Sequence, residues 1–230
     1  PKQGGNIFSG DLRGNFSNKG MQSSNLNDAL RARGLTNVNR VSYIYDIGGT
    51  VGGPIKKDRV WFFSGVRAVN IHSEVAGIFN NLTPHTPFYT PGTEPAERWE
   101  SYESYATRVT WQVSPRNKVG LFADVQPRCD CRRPGNLSPE AQTIYDFWPQ
   151  GLYQASWTAP VTNRFLLEAG YSFAQSHYTN PPQPGVRPDD ISILEQSTGL
   201  RYNAANTLRR FTDSHRYAQR FAASYVTGSH

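Results

Sequence analysis

Residues 105–125 read Tyr-Ala-Thr-Arg-Val-Thr-Trp-Gln-Val, then Ser-Pro-Arg-Asn-Lys, then Val-Gly-Leu-Phe-Ala-Asp-Val. In the first run Tyr105, Thr107, Val109, Trp111 and Val113 alternate with Arg108, Thr110 and Gln112. In the second, Val119, Leu121, Ala123 and Val125 alternate with Gly120, Phe122, Asp124 and Gln126. A strand points successive side chains to opposite faces, so each run is a strand with one apolar and one polar face. Ser114-Pro115-Arg116-Asn117-Lys118 between them has turn chemistry: Pro presets φ, and Ser and Asn bond back to the local backbone. The unit is a β-hairpin.

The same unit recurs on either side. Gly53-Pro54-Ile55-Lys56-Lys57-Asp58 and Ala159-Pro160-Val161-Thr162-Asn163-Arg164 are two more tight turns, and a fourth begins at Gly228. Around them lie strand-like runs near 8–16, 43–52, 60–67, 153–159, 165–173 and 217–225. With the central hairpin they make about eight strands. Long polar segments rich in Asn, Pro, Gly, Ser and Arg separate the hairpins, at 17–42, 71–102, 127–150 and 177–214. Such long connections argue against an ordinary compact domain. They suit an antiparallel transmembrane β-barrel, with short turns on the periplasmic side and long loops outside.

Two features favour a membrane barrel over a soluble sandwich. The polar faces carry ionisable residues at mid-strand: Asp11, Arg13, Asp46, Arg108, Asp124, Glu168 and Arg220. A wet lumen holds these easily and a packed core does not. The large aromatic residues also gather towards strand ends, Trp111 and Trp157 by the turns and Tyr43, Tyr45, Tyr105, Tyr153, Tyr171 and Phe173 by the long segments. Membrane interfaces select such belts. One strand departs from the pattern: Trp61 and Phe63 share a parity with Arg67. Either they pack against something inside the barrel or a bulge interrupts the parity.

Bulk properties agree. The 230 residues carry 24 Lys+Arg against 18 Asp+Glu, a formal charge of +6. A mean hydropathy of −0.60 beside 13% aromatic residues fits alternating strands rather than apolar helices. No stretch approaches a membrane-spanning helix. Pro1-Lys2-Gln3-Gly4-Gly5 reads as mid-domain chain, and Thr227-Gly228-Ser229-His230 breaks off within a turn. A piece of a longer polypeptide is expected.

Several sequence features resemble TonB-dependent receptors of the Oar-like or SusC-like group, which carry a carboxypeptidase-regulatory-like domain ahead of the plug. Pro1-Lys2-Gln3-Gly4-Gly5-Asn6-Ile7-Phe8-Ser9-Gly10 resembles the junction of plug and barrel. Residues 49–63, Gly-Thr-Val-Gly-Gly-Pro-Ile-Lys-Lys-Asp-Arg-Val-Trp-Phe-Phe, resemble a hairpin of that family. Val113-Ser114-Pro115-Arg116-Asn117-Lys118 resembles its recurrent turn. The resemblance implies that residues 1–10 end the plug and residues 11–230 begin a barrel of about 22 strands. It also implies TonB-coupled uptake of a scarce solute across the bacterial outer membrane. The TonB complex would engage missing parts of the polypeptide, and a surface lipoprotein is a further candidate partner. The alternatives are a soluble β-sandwich carbohydrate-binding module and a passive porin.

No catalytic constellation, cofactor site or metal site is expected. Gly48-Gly49-Thr50-Val51-Gly52-Gly53 lacks the Gly-Lys-Ser/Thr of a phosphate loop, and the five histidines are scattered. Cys129-Asp130-Cys131 has three readings, a loop disulfide, half of a metal site, or two free thiols, and the disulfide is preferred. The basic residues are too dispersed for nucleic acid. Arg128 with Arg132-Arg133, and Arg209-Arg210, are read either as contacts to lipopolysaccharide beside the outer-membrane lipid or as solvated loops. Among the loop aromatics, Trp99, Tyr145 and Trp148 are candidate ligand contacts, with Phe88, Tyr89 and Phe147 alongside; packing anchors are the competing reading.

Overall fold

The computed structural model describes residues 4–34, 37–206 and 211–227. Pro1-Lys2-Gln3 of the junction, the Arg209-Arg210 pair and the turn at Gly228 lie outside them. The chain is all-β, built on one large antiparallel sheet. Its strands are β1 (Ser9–Asn18), β2 (Arg40–Lys56), β3 (Val60–Asn81), β4 (Pro91–Ser114), β5 (Asn117–Val125), β6 (Arg128–Arg132), β7 (Tyr145–Thr162), β8 (Phe165–Thr179) and β11 (Phe211–Tyr225). Two short strands, β9 (Ile193–Leu194) and β10 (Arg201–Tyr202), pair with each other. Among the described residues the one α-helix, α1 (Asp28–Ala32), starts where the Asn27 side chain accepts the Leu30 amide. Among the described residues no helix is long and apolar enough to cross a membrane.

Neighbours in sequence are neighbours in the sheet, in the order β1-β2-β3-β4-β5-β7-β8-β11, with β6 also between β4 and β7. β5 and β6 act as one strand interrupted at Gln126-Pro127. Pro127 has no N–H to give the ladder, but its carbonyl still accepts from Glu103 at 2.9 Å. Every pairing in the large sheet is antiparallel, so the three tight turns fall on one edge and the long connections on the other. At the turn edge only Pro115-Arg116 separates β4 from β5, and only Asn163-Arg164 separates β7 from β8. Asp58 takes a positive φ of 62° in the β2–β3 turn, a conformation that Asp tolerates.

Strands extend well past the expected runs. The segment 71–102, expected as a loop, is mostly β3 and β4, with only residues 82–90 between them. Much of 127–150 is likewise β6 and the start of β7. In these outer parts apolar residues such as Val75, Ile78, Phe79 and Trp99 are mixed with charged ones without strict alternation, so no period of two marks them. Ladder hydrogen bonds hold them instead, and register shifts near Glu74, Trp99 and Phe147 break the parity.

Register assigns every side chain to a face, because directly opposed residues share one. One face runs Leu12–Gly49–Val66–Tyr105–Val125 and, further along, Val109–Leu121–Ala155–Tyr171–Gln219. It is apolar and open: Leu12 is 93% exposed and Leu121 53%. The other face is polar. Trp61 and Phe63 belong to it with Arg67, because β3 keeps its register against β4 from Val60 to Glu74. The parity is uninterrupted there. Trp61 is held by the incoming chain: its Nε1 donates to Asn6 Oδ1 at 2.7 Å, and the same oxygen accepts the Asp58 amide at 3.0 Å.

Candidate functional site

The polar face gathers all seven ionisable residues singled out in the sequence. Asp46 accepts two parallel bonds from Arg67, both 2.8 Å. Gly48, opposite both Arg13 and Arg67 in the ladder, leaves room beside them; a Cβ there would fall 3.4 Å from Arg13 Nε. Asp11 accepts a bond from the Thr50 hydroxyl. Asp124 accepts from Ser104 Oγ at 2.9 Å and Gln126 Nε2 at 2.6 Å, while Glu168 lies 3.9 Å from Arg220. The two carboxylates sit on β5 and β8 with β7 between them, so they do not form a pair. Arg108 lies over Gly120, where a Cβ would come 3.1 Å from its Nη2; its Nε is buried without a partner. Parity alone could have added Arg67, the strongest partner on this face.

At the long-connection edge three segments are knitted into a layer: 82–90, 133–144 and 180–206. Asn203 is the hub. Its Oδ1 accepts the His85 amide at 2.9 Å, its Nδ2 donates to Ile191 O at 2.9 Å, and its own amide donates to Glu140 Oε1 at 3.1 Å. Glu140 Oε1 also accepts from Asn81 Nδ2 at 2.9 Å. Tyr202 donates its hydroxyl proton to Pro87 O at 2.9 Å and packs on Tyr89 at 5.6 Å. His85 Nδ1 lies 2.8 Å from Asp190. Burial works against the Asp190 charge, but the Arg187 amide, the His85 ring and the Arg187 charge outweigh it and hold the carboxyl below its ordinary value. Most fully buried side chains lie here, among them Ser138, Ala141, Gln142, Tyr202 and Asn203. The tightest packing is therefore in the connections, not in the sheet.

Where the layer meets the polar face, Asp130 and five other side chains close a ring. Arg128 donates to both Asp130 oxygens at 2.9 and 3.2 Å, and Arg133 Nη1 lies 3.8 Å from Oδ2. The Arg133 guanidinium sits 5.2 Å over Tyr145, and that of Arg128 sits 5.3 Å over Phe147. Tyr178 joins the two rings, 6.0 Å from Tyr145 and 5.2 Å from Phe147. Cys129 and Cys131 flank Asp130 in a disulfide, Cα atoms 5.0 Å apart; they lie in strand β6, where a loop was expected. Gln183 Nε2 donates to Cys131 O at 2.7 Å and ties the layer down at this point.

Of the three aromatics expected as loop contacts, none lies in a loop: Trp99 is in β4, and Tyr145 and Trp148 are in β7. Tyr145 alone joins the ring. Trp99 stacks 5.3 Å from His72 on the apolar side, and Trp148 is exposed at the register shift between Phe147 and Gln150. Arg132 turns away from Arg128 and Arg133 and approaches Glu97 at 3.6 Å. Asp130 and Tyr178 were missed; the alternation Arg128-Cys129-Asp130 was the signal available for the first. Among the described residues no three His, Cys, Asp or Glu side chains converge as a metal site. The chain matches no protein family, no curated protein and no solved structure.

Proposed function

We propose that this chain is the first part of a transmembrane β-barrel in a bacterial outer-membrane receptor, one that takes up a scarce solute by TonB-coupled active transport. The observation that carries this reading is the apolar band. Along 8–16, 43–51, 105–113, 151–159, 165–173 and 217–225 the apolar face runs for about nine residues per strand, interrupted only by Thr107 and Gln219, the length a tilted strand needs to cross the hydrocarbon core. Aromatic side chains border the band. Tyr153, Phe173 and Tyr217 stack in a row at 6.0 and 4.9 Å on the long-connection side. Trp111 and Trp157 stand by the turns, where Trp157 Nε1 donates to Asn117 Oδ1 at 3.0 Å. Amphipathic rings bonded at one end suit a membrane interface.

A soluble sandwich would cover this face with a second sheet, and none covers it among the described residues. The polar face, with its ion pairs and two Arg-lined concavities, suits a hydrated lumen. A passive porin shares these features. The active-transport reading adds the junction and hairpin resemblances, together with Asn6, which fastens the segment before β1 to the β2–β3 turn. In this reading the TonB complex engages parts of the polypeptide outside this chain, and outer-leaflet phosphates fall to Arg132, which lies opposite Trp99, rather than to Arg128 and Arg133, which hold Asp130.

Spin labels placed singly from Thr107 to Val125 in vesicle-reconstituted protein test the membrane claim. Accessibility to dissolved oxygen should peak at Val109, Leu121 and Ala123, and accessibility to a water-soluble nickel chelate at Arg108, Phe122 and Asp124. Labels at Val109 and Leu121 that neither reagent reaches would mark a closed soluble core and end the proposal. Uptake that persists after the inner-membrane energy supply is removed would leave a porin.

A further inference from the structure

The three tight turns hold most of the chain's excess charge. Residues 53–59, 114–118 and 159–164 contain six cations, Lys56, Lys57, Arg59, Arg116, Lys118 and Arg164, against one carboxylate, Asp58. Of the 24 Lys+Arg and 18 Asp+Glu in the chain, that leaves 18 and 17 elsewhere, so five of the six net positive charges lie on the turn edge. The β2–β3, β4–β5 and β7–β8 hairpins follow one another in the sheet. Two strand spacings put successive turns roughly 10 Å apart, close to the Debye length in moderate salt, so their charges act as one field.

Two of these cations border a concavity. Arg116 Nη1 donates to Val161 O at 3.1 Å, which carries the guanidinium from the β4–β5 turn across to the β7–β8 turn. There Arg116 and Arg164 line a space of about 770 Å³ together with Val161, Phe165 and Tyr225. Both arginines are exposed, and among the described residues neither has a carboxylate partner, whereas Arg67, Arg128, Arg132, Arg133 and Arg220 each have one. A guanidinium has five donors, and Val161 O engages one of those of Arg116. The Phe165 and Tyr225 rings, directly opposed in the ladder, lie 6.5 Å apart on the apolar face. The concavity is therefore cationic at the turn and apolar towards the band. Trp111 and Trp157 stand at this end of the band, the depth at which an interface begins. A free anion would use only the cationic end; a lipid with a charged headgroup uses both.

We propose that the turn edge binds an anionic glycerophospholipid of the inner leaflet. Its phosphate sits on Arg116 and Arg164, one acyl chain runs along Phe165 and Tyr225, and Lys56, Lys57 and Arg59 add to the attracting field. The proposal rests on the membrane-spanning part of the transport reading, which puts the turns on the periplasmic side.

The test is native mass spectrometry of the full-length protein in detergent, titrated with dioleoyl phosphatidylglycerol, dioleoyl phosphatidylcholine, glycerol 3-phosphate and polyglutamate. Phosphatidylglycerol should bind at least about tenfold more tightly than phosphatidylcholine, since each Lys or Arg at an anionic surface contributes about fivefold. Arg116→Gln and Arg164→Gln should each weaken phosphatidylglycerol about fivefold and leave phosphatidylcholine unchanged, a separation that misfolding would not give. Arg116→Lys should keep most of the preference, because the charge remains. Equal binding of the two lipids, or a preference that survives both Arg→Gln changes together, overturns the proposal. Glycerol 3-phosphate or polyglutamate binding as tightly as phosphatidylglycerol would mark a surface for any polyanion and overturn it as well. If the protein carries a solute across bilayers by energy-coupled uptake yet shows no preference for phosphatidylglycerol, this inference fails and the transport reading stands. If it does not enter bilayers, the transport reading fails, and the detergent titration still decides whether the lipid site exists.

Discussion

Asn203 Oδ1 accepts the backbone N–H of His85 at 2.9 Å across 118 residues of sequence. The bond joins the β8–β11 connection to the β3–β4 connection. Asn203 also reaches Glu140 in the third segment, so one side chain and its amide link all three. Its φ of 71° is in the left-handed region, which Asn enters more readily than most residues. Asn203→Gly keeps that backbone and removes the side-chain bonds; Asn203→Ala removes both. Both should raise amide exchange across 82–90 and 180–206 and leave β4 to β8 protected. The loss should be about 1–3 kcal/mol of local stability, larger for Ala. Unchanged exchange in both variants would mean that the layer is held elsewhere.

Acid should loosen the same layer. The Asp190 carboxyl is held below its ordinary value by the Arg187 amide, the His85 ring and the Arg187 charge, despite burial. A depressed folded-state pKa contributes stability that is fully present above the unfolded-state value and is lost as pH falls through the folded one. The pair is therefore intact near neutral pH, and its contribution fades only below the ordinary carboxylate range, about pH 4. Amide exchange protection across 85–90 and 187–191, corrected for the intrinsic pH dependence of exchange, should be constant from pH 8 to 5 and fall below about pH 4. Asp190→Asn should flatten that acid limb; an unaltered profile in the variant would assign the sensitivity to another group.

Reduction of the Cys129–Cys131 bridge should act locally. The loop it closes is very short, so in the chain-entropy account it restrains little of the unfolded chain, roughly 1.5 kcal/mol. Its neighbours matter more: Asp130 between the cysteines pairs with Arg128 and Arg133, and Cys131 O accepts from the Gln183 side-chain amide. The double variant Cys129→Ser, Cys131→Ser should lower the melting temperature by no more than about 3–6 °C while exchange near residues 128–133 and 183 rises. A large fall in melting temperature would show that the bridge restrains the whole sheet.

Legibility in the sequence followed the source of stability. The hairpin at 105–125 was readable because one of its faces is apolar and the other polar, so alternation is written into the residues. The same logic placed Asp11, Asp46, Arg108 and Glu168 on one face. Beyond Ile71 in β3 and before Ser101 in β4 register shifts break the alternation of apolar and polar residues, and a strand without a period of two looks like a loop. The loop layer was illegible for a different reason. Asn203, Glu140 and His85 are ordinary polar residues whose significance is a long-range contact, and no local pattern encodes a partner 118 residues away. Tyr145 was found as an aromatic without a context; Arg133 and Tyr178 supply it from β6–β7 and β8.

Adjacent residues in β5 give the sharpest test of the two faces. Leu121 lies opposite Val109 and Ala155 on the apolar face, whereas Phe122 lies opposite Arg108 and Gln154 on the polar one. The two are neighbours in sequence, similar in hydrophobicity and equal in backbone pairing, so propensity and ladder bonds cancel between them. In a bilayer, Leu121→Arg puts a charge near the middle of the apolar band and should cost about 2–4 kcal/mol. Phe122→Arg adds a charge to a face that already holds Arg108, Asp124 and Glu168, and should be tolerated apart from mild repulsion with Arg108. Urea-dependent folding into short-chain lipid vesicles measures both. A soluble sandwich packed on the apolar face would also suffer from Leu121→Arg, but its wild-type chain would fold without lipid. The membrane reading therefore requires two results together: no folded wild-type protein until lipid or detergent is added, and a large penalty at Leu121 beside a small one at Phe122. Equal penalties at the two positions would mean that both faces are packed, and the hydrated polar face would be lost.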